Sequence, residues 1–432
     1  MKKTFPQIKK PTFGWSFTEG LMDDSRVALM TLLTCTQDNY VDGMKAANIA
    51  NYVELINFNK DKDGKIISAE LLDKISNNKF TIKSKVFVNC AGPFSDNIRR
   101  LADPEIKNRL VGSRGVHLVL EKKFTPKVYG MLIPKTVDGR IMFVLPFHNL
   151  TLAGTTDHED IIVEGPKSPK EDIDEISKSL AQYFNFNSQE NILASFCGIR
   201  PLVLENKDDK PSHLKKLIPT FRSSKKMESK SLTRSHEVEV NEKSGLISLL
   251  GGKWTTYRSM GEDTVNRIIK EYPELKPLHK ESITNTFKLL GSYSSKAIDK
   301  TEVSNCEFVE PYIRFLMNKY NISLESASVL VKMYGVESAR VAELGKSMNL
   351  LGLITDGLPF LKVQVIYAIR NELAIHLKDV IHRRLGISFL DTKKAEESCK
   401  EISNIMKSEL KWSEEVKIQE EKDCLETMES KF

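Results

Sequence analysis

The 432-residue chain lacks the short glycine-rich motifs by which nucleotide sites and esterase-type nucleophiles are usually found. No two of its 22 glycines are separated by a single residue, so the Gly-x-Gly-x-x-Gly segment of dinucleotide-binding folds is absent. A Gly-x-x-x-x-Gly-Lys phosphate loop and a Gly-x-Ser-x-Gly nucleophile elbow are absent as well. These three fingerprints are therefore excluded as the source of any activity.

Closely spaced cysteines, long apolar runs and a large net charge are missing too. The six cysteines lie far apart with no Cys-x-x-Cys pair, which argues against a zinc site or a disulfide framework and indicates a reducing compartment. No apolar run approaches the ~18 residues of a membrane helix, and MKKTFPQIKKPTFG lacks the apolar core of a signal peptide. The net charge of +6 suits anionic small molecules or an anionic membrane surface, and is too small to indicate nucleic acid. We expect a soluble or peripherally attached protein with no metal.

Turn and cap residues predict the local elements. Asp63-Gly64 and His148-Asn149 are expected to join β-hairpins, and a third hairpin is expected around NEKSG. VFVNCAG is typical of a buried strand, followed by a helix capped by Ser95. A second helix is expected to begin at Ser168, which caps it with Pro169 in its first turn.

The composition changes twice along the chain. Residues 205–231 are polar, lysine-rich and aperiodic, which predicts a mobile surface loop, with a basic functional patch as the alternative. From about residue 285 glycine becomes rare and segments such as PFLKVQVIYAIRNELAIHLKDVIHRRL have helical periodicity. The sequence therefore predicts an all-helical C-terminal domain.

Four titratable positions in the middle of the chain are considered for chemistry. His117 lies in the alternating stretch GSRGVHLVL, where a neutral imidazole can accept a proton; a histidine hydrogen-bonded within the sheet is the alternative. Arg200 in CGIRPLVL is expected at a strand-to-loop corner, and Arg234 in LTRSHEVEV at the start of a strand. Each guanidinium either binds phosphate or carboxylate or caps carbonyl groups. Asp157 in GTTDHED is a turn residue or a partner for one of these arginines.

The segment LISLLGGKWTTYRSM joins an apolar run to an amphipathic pattern. Gly251-Gly252 permit a close approach or a positive φ, and the next residues present backbone N–H groups at a helix start. Such a junction favours negative charge, so an anion or cofactor site and a plain tight turn both remain open. The VNCAGPFSD segment raises the same question at Ala91-Gly92.

Seven motifs, taken together in order, identify a known family. The chain resembles the FAD-dependent glycerol-3-phosphate dehydrogenases, in particular the mitochondrial type, through VNCAGPFSD, GSRGVHLVL, PKTVDGRIMFVLPF, LAGTTDHE, CGIRPLV, TRSHEVEV and LLGGKWTTYRSMGEDT. The resemblance covers roughly residues 14–432 and includes KMYG, HRRLGISFL and SELKW near the C-terminus.

The resemblance implies a fold of class α/β plus α. Residues 1–97 and 236–280 would form an incomplete FAD-binding domain of the glutathione-reductase/amino-acid-oxidase type. Residues 98–235 would form an antiparallel substrate domain and residues 285–432 the helical domain. The implied reaction is oxidation of sn-glycerol 3-phosphate to dihydroxyacetone phosphate, with hydride transfer to FAD and electrons to ubiquinone. Peripheral contact with the mitochondrial inner membrane and a homodimer are implied in the same way.

The resemblance also implies roles for individual residues. His117 would be the base for the C2 hydroxyl proton, with Lys253 as the second catalytic residue, and Arg200, Arg234 and Lys253 would hold the substrate phosphate and oxygens. The cofactor contacts it implies are Ala91, Gly92, Gly252, Lys253, Trp254 and Thr255.

One departure from the family is large. Its members begin with a strand, Gly-x-Gly-x-x-Gly and an acidic residue, whereas here FTEGLMDDSRVAL matches an internal region of the family, and the mitochondrial EF-hand extension is absent. We therefore expect a chain that begins partway through the flavin domain and binds FAD poorly by itself. An inactive relative that binds a phosphorylated metabolite or scaffolds a partner, and a glycerol-3-phosphate oxidase, are the alternative functions.

Overall fold

The computed structural model describes most of the chain as two parts, one containing the β-sheets and one helical, which pack against each other. The described residues are 9, 18, 20–40, 44–125, 129–137, 139–204, 232–233, 235–278, 280–292 and 305–428. The predicted loop at 205–231 and the candidate Arg234 lie outside these residues. None of the described helices is long and apolar enough to cross a membrane.

The first part begins with a helix and an antiparallel meander. Helix α1 is Asp24–Cys35, and the meander strands β1 Val53–Lys60, β2 Ile66–Asp73 and β3 Asn78–Lys83 pair in sequence order. Gly64 between β1 and β2 has a φ of +86°, which confirms the hairpin expected at Asp63-Gly64.

A short mixed sheet follows the meander. It has the order β12-β13-β4, with strands β4 Val88–Asn89, β12 His236–Val240 and β13 Ile247–Gly251. Strand β13 pairs antiparallel with β12, as expected for the hairpin around NEKSG, and parallel with β4. The prediction of a buried strand over VFVNCAG is wrong: β4 has two residues and Val88 is 40% exposed, because within the described residues β4 pairs on one side only.

The two helix caps predicted in this part are each displaced by one residue: Ser95 is one residue late and Ser168 is one residue early. Helix α2 is Ser95–Ala102, so Ser95 is its first residue and a 3₁₀ turn, Gly92–Phe94, precedes it. Helix α3 is Lys170–Tyr183, and Pro169, not Ser168, occupies the cap position. The extended φ and ψ of Pro169 explain the shift, because the residue at the cap is not yet helical.

The largest sheet has seven strands and carries the candidate residues. Its order is β11-β10-β5-β8-β7-β6, with β9 also paired to β5. The strands are β5 Leu110–Leu120, β6 Met131–Ile133, β7 Met142–Phe147, β8 Leu150–Gly154, β9 His158–Asp160, β10 Ile192–Leu204 and β11 Leu232–Thr233. The turn between β7 and β8 has positive φ at His148 and Asn149, which confirms the second predicted hairpin. One face of the sheet is covered by α3, whose Ile173, Ile176 and Leu180 are buried against it.

The second part is helical, as the sequence predicts. After α4 Ser188–Asn191 and α5 Tyr257–Glu271, the helices are α6 Asn305–Tyr320, α7 Leu324–Tyr334, α8 Ser338–Ser347, α9 Val363–Asn371, α10 Thr392–Leu410 and α11 Glu414–Thr427. A π-helical turn, Asp379–Arg384, and a 3₁₀ turn, Ile387–Phe389, join α9 to α10. Buried side chains from all these helices except α4 and α5 form one core.

Helix α1 is fixed to the helical part by a buried ion pair. The Arg26 guanidinium is 5% exposed and donates to the Glu372 carboxylate at 2.8 Å and to the Met333 carbonyl at 3.1 and 3.2 Å. It also lies 4.7 Å from the centre of the Tyr334 ring. These contacts join the first described helix to α7 and to the end of α9.

Candidate functional site

Two central strands of the large sheet form an open trough between an imidazole and a guanidinium. In the β5–β10 register, His117 faces Phe196, Gly115 faces Gly198 and Ser113 faces Arg200. Side chains alternate along a strand, so all six residues point to one face of the sheet, away from α3. We call this surface the glycine trough, because its central pair has no side chains to fill it.

Arg200 is held across the glycine trough. Its Nη2 donates to Thr155 Oγ1 at 2.9 Å, its Nη1 donates to the Thr156 carbonyl at 3.3 Å, and Nη1 lies 3.7 Å from the Asp157 carboxylate. A Cβ at Gly115 would come within 2.6 Å of the guanidinium carbon, so only glycine there leaves room for it. The Arg200 side chain as a whole is 32% exposed, so solvent and small ions reach part of it.

The predicted position of Arg200 at a strand-to-loop corner is wrong. Strand β10 runs on through Pro201 to Leu204, so Arg200 lies inside the strand. The strand tolerates Pro201 in its interior, and both Val203 and Leu204 pair with β11 beyond it. Asp157 is a partner of Arg200, the second of the two interpretations offered by the sequence.

His117 is placed by packing. Its ring is stacked on Phe196, with ring centres 5.2 Å apart and planes 17° apart. On the other side it faces Gly154 of β8, where a Cβ would lie 2.7 Å from His117 Cδ2. Burial, together with the nearby Arg200 cation, lowers the pKa of His117 from 6.5 to about 4. The imidazole is therefore neutral at neutral pH.

The segment Thr155–Asp157 is held in place by hydrogen bonds to β5 and to α3, the helix on the opposite face of the sheet. Thr156 Oγ1 donates to the Asp172 carboxylate of α3 at 2.8 Å and accepts from the Val116 amide at 3.0 Å. Asp172 is buried and also binds the Arg114 guanidinium at 3.0 Å. Asp157 in turn accepts a short hydrogen bond from the Ser113 hydroxyl. The groups that hold Arg200 are thus themselves anchored.

The Gly251-Gly252 turn lies against the end of β10, beside Val203 and the Pro201 carbonyl. Both glycines have positive φ, +69° and +86°. A Cβ at Gly251 would overlap the Val203 side chain, and one at Gly252 would lie 2.5 Å from Met260 Cε. Side chains at either position are therefore excluded by both conformation and space.

Lys253, Trp254 and Thr255 are exposed at the start of a 3₁₀ turn, Trp254–Thr256, that leads into α5. The first N–H groups of such a turn have no partner inside it, and they favour negative charge. The Trp254 ring stacks on Tyr257 at 4.9 Å. Within the described part of the chain, the Lys253 ammonium makes no hydrogen bond or ion pair, so it is free to meet a ligand.

The Ala91-Gly92 turn follows β4, the strand next to β13, and lies beside the Gly251-Gly252 turn. We call the region at the carboxyl ends of β4 and β13 the strand-end edge. Because β4 and β13 are parallel, their carboxyl ends lie side by side, and Gly92 and Gly252 follow them. Asn89 fixes this edge: its amide nitrogen donates to Ser248 Oγ at 3.1 Å and its amide oxygen accepts from the Ala91 amide at 3.1 Å. Gly92 has a φ of +54°, with open space where a side chain would be.

The structure therefore brings the candidate residues to one region. His117 and Arg200 share the glycine trough, while Gly252 and Gly92 lie at the strand ends that adjoin β10. Sequence reasoning had missed Phe196 and Thr155. The GTTD motif signalled Thr155, but nothing local distinguishes Phe196 from other core aromatic residues.

Comparisons with known proteins agree on the family. The model of the FAD dependent oxidoreductase family matches residues 3–258, and that of the C-terminal domain of alpha-glycerophosphate oxidase matches residues 282–417. A probable mitochondrial glycerol-3-phosphate dehydrogenase of Dictyostelium discoideum is 34% identical, covering 96% of this chain and 62% of that protein. The human mitochondrial glycerol-3-phosphate dehydrogenase is 31% identical, covering 95% of this chain and 52% of its own length.

A solved structure shows the same fold. The glycerol-3-phosphate dehydrogenase of Bacillus halodurans, determined in complex with FAD, aligns with a TM-score of 0.72 and 24% identity. The alignment covers 94% of this chain and 73% of that one. The present chain spans between about half and two thirds of the length of the curated relatives it matches. The fold class and the resemblance drawn from the seven motifs are thereby confirmed, and the chain belongs to the FAD-dependent oxidoreductase family.

Proposed function

We propose that the chain carries the substrate side of a glycerol-3-phosphate dehydrogenase site, in which sn-glycerol 3-phosphate is oxidised to dihydroxyacetone phosphate. The observation that carries this proposal is the glycine trough. It places a neutral imidazole and an exposed guanidinium on one face of the sheet, with two side-chain-free residues between them. A small phosphorylated alcohol needs both groups, because its phosphate requires a cation and its hydroxyl a proton acceptor.

The electrostatics of the trough suit this substrate. The Arg200 guanidinium lies 3.7 Å from the Asp157 carboxylate, and the Arg200 side chain is 32% exposed, so solvent reaches part of it. Lys253 adds an unpaired ammonium, within the described residues, at the strand-end edge. The role of Arg234 as a third cation stays a prediction.

The binding of a phosphate would also adjust His117. Burial and the Arg200 cation hold the pKa of His117 at about 4, at which it is a weak base. A phosphate dianion bound to Arg200 would offset that cation and raise the pKa of His117 towards its ordinary value of 6.5. The imidazole is neutral before substrate binds and becomes a stronger base when it does. His117 would then take the C2 hydroxyl proton.

The residues at the strand-end edge fit the flavin end of FAD. Gly92 and Gly252 have positive φ and no side chain, so a planar ring can approach the backbone, and the N–H groups that follow Gly252 can stabilise negative charge on it. The sequence has no Gly-x-Gly-x-x-Gly segment for the diphosphate end. When bound, FAD would accept the hydride from C2. The cofactor roles of Ala91, Gly92, Gly252, Lys253, Trp254 and Thr255 stay predictions on this basis.

The names of the relatives support a proposal for the electron acceptor and the location. Several are named mitochondrial glycerol-3-phosphate dehydrogenases, which favours a mitochondrial protein. Transfer of electrons to ubiquinone stays a prediction from the resemblance. Peripheral contact with the inner membrane and a homodimer remain predictions. The description of the C-terminal domain as that of alpha-glycerophosphate oxidase supports oxygen as the alternative acceptor.

Calorimetric titration of the full chain with glycerol 3-phosphate tests the substrate proposal without requiring turnover. We expect saturable binding that Arg200→Ala weakens by about 2–3 kcal/mol, the cost of a lost charged hydrogen bond. Arg258→Ala is the matched control, since this arginine is also partly exposed but pairs with Glu262 on α5. Equal affinities for Arg200→Ala and the unchanged chain, or no binding at all, would overturn the proposal. Dye reduction and oxygen uptake, with FAD added, then separate dehydrogenase from oxidase.

A further inference from the structure

An aromatic chain connects the glycine trough with the helical part of the protein. The first contact is the cross-strand stack of His117 on Phe196, 5.2 Å between ring centres. The second joins Phe196 to Phe389, whose ring meets it edge-on at 5.4 Å and 68°. Phe389 comes from the 3₁₀ turn before α10, far along the chain from β10.

The position of Phe389 is determined by the helical core. Its neighbours Ile387 and Leu390 are buried there, at 0% and 4% exposure. Ser388 shares a 2.6 Å hydrogen bond with His382 Nδ1, which ties the turn to the preceding π-helical turn. Phe389 itself is 37% exposed and points out of that core onto β10. It is an apolar side chain presented to another part of the protein by a rigid turn.

The imidazole of His117 depends on such packing for its orientation. Within the described residues, its ring nitrogens make no hydrogen bond, so no carbonyl or carboxylate fixes its rotamer or tautomer. One side of the ring packs directly over Gly154, and the other is covered by Phe196. If the Phe196 ring turns, the imidazole loses its only flat contact among the described residues.

We infer that Phe389 is a positioning residue, presented by the helical part, that holds the His117 imidazole in the glycine trough by bracing Phe196. The inference rests on the proposed function for its importance to catalysis. The contacts by which Phe389 holds Phe196 and Phe196 holds His117 do not depend on that function. It assigns the helical part a direct share in the geometry of the site.

The charged groups around the three rings influence the pKa values of the two histidines that a pH titration would follow, His117 and His382. Arg200, paired with Asp157, faces His117 from β10 and the loop after β8. On the helical side, His382 lies 6.3 Å from the Phe389 ring. Burial lowers the pKa of His382 to about 4, with Arg383 adding to the effect, so its signal must be assigned separately from that of His117.

The test is an NMR titration of the histidine Cε1–H signals in the full chain, with His117→Gln used for assignment. We expect Phe389→Ala to admit water beside Phe196 and to raise the pKa of His117 by about one unit towards 6.5. Phe389→Leu preserves bulk but removes the ring, and should shift the Phe196 and His117 signals by loss of ring current. Phe315→Ala is the matched control, because Phe315 is 45% exposed in the same helical part and stacks on Tyr312.

Each outcome is decisive. Identical His117 pKa and chemical shifts in Phe389→Ala, Phe389→Leu and Phe315→Ala would overturn the inference, and a change confined to the Phe389 variants supports it. Affinity for glycerol 3-phosphate should stay within about twofold in Phe389→Leu, because Arg200 is untouched. Failure of the unchanged chain to bind that substrate would remove the proposed function while leaving the ring coupling to be judged from the titration. In an active preparation, Phe389→Leu should lower kcat with little change in KM.

Discussion

Replacement of Arg26 by alanine should destabilise the protein strongly. The side chain of Glu372 is 0% exposed, and Arg26 is the one described donor to its Oε1, while Oε2 has no partner among the described residues. Arg26→Ala leaves this carboxylate buried and unpaired, and the Met333 carbonyl loses two donors. Removal of one member of a buried ion pair costs about 3–5 kcal/mol of unfolding free energy.

Urea unfolding followed by far-ultraviolet circular dichroism measures this loss, since the signal comes mainly from the helical part. For an m-value of about 3 kcal/mol per M, the midpoint should fall by about 1 M or more. The double change Arg26→Met/Glu372→Leu should recover most of the stability, because an apolar pair of similar volume needs no charge compensation. Arg314→Ala is the control, since the side chain of Arg314 is 71% exposed and its ion pair contributes little.

A loss of less than about 1 kcal/mol at neutral pH, or one equal to that of Arg314→Ala, would refute the view that this pair fixes α1 to the helices.

Three further changes probe other features. The Glu420 carboxylate lies 2.5 Å from His376 Nδ1 and raises the pKa of His376 above 6.5. This pair should therefore stabilise the fold fully below pH 6.5 and lose its effect as pH rises through the raised pKa, which lowers the unfolding midpoint. His376→Gln should make the unfolding midpoint depend less on pH in this range. Gly115→Ala should displace the Arg200 guanidinium and weaken glycerol 3-phosphate binding about tenfold by calorimetry, while the unfolding midpoint changes little. An unchanged affinity would contradict the conclusion that a Cβ at Gly115 collides with this guanidinium. Gly252→Ala, with a φ of +86° and Met260 in the way, should cost about 1–2 kcal/mol in urea unfolding, whereas Gly261→Ala, which meets no atom within 4 Å, should not.

The local parts of this fold could be predicted because the signals for them are local. Asp63-Gly64 and His148-Asn149 specify hairpin turns through their own backbone preferences, and the helical part follows from periodicity. The predicted cap was one residue late at Ser95 and one residue early at Ser168, because a 3₁₀ turn precedes the first helix and an extended proline occupies the cap of the second. The strand expected over VFVNCAG was predicted too long and too buried, because apolar residues alone do not show how many strands pair with them.

The candidate site could be predicted only in part for a related reason. The motifs named His117 and Arg200, but their distance depends on the pairing of two strands that lie far apart in sequence. The corner expected at Arg200 came from Pro201, which instead lies within a continuous strand. Phe389 lies in HRRLGISFL, which supported the resemblance but indicated no role in the site, because its contact with Phe196 depends on how the helical part packs against the sheet.

The glycines of the trough lower the stability of the sheet while they leave space on its surface. Glycine inside a strand is about 0.5–1 kcal/mol less favourable than alanine, because it gives up more freedom on folding and packs nothing. Gly198 does not have a positive φ, and no atom lies within 4 Å of the place that a methyl group would take there, so the strand would accept alanine without strain. A more stable sheet is thus one substitution away, and that methyl group would stand in the space between His117 and Arg200. Selection for stability alone would favour alanine at Gly198, and binding of the proposed small phosphorylated alcohol would explain why glycine stands there instead.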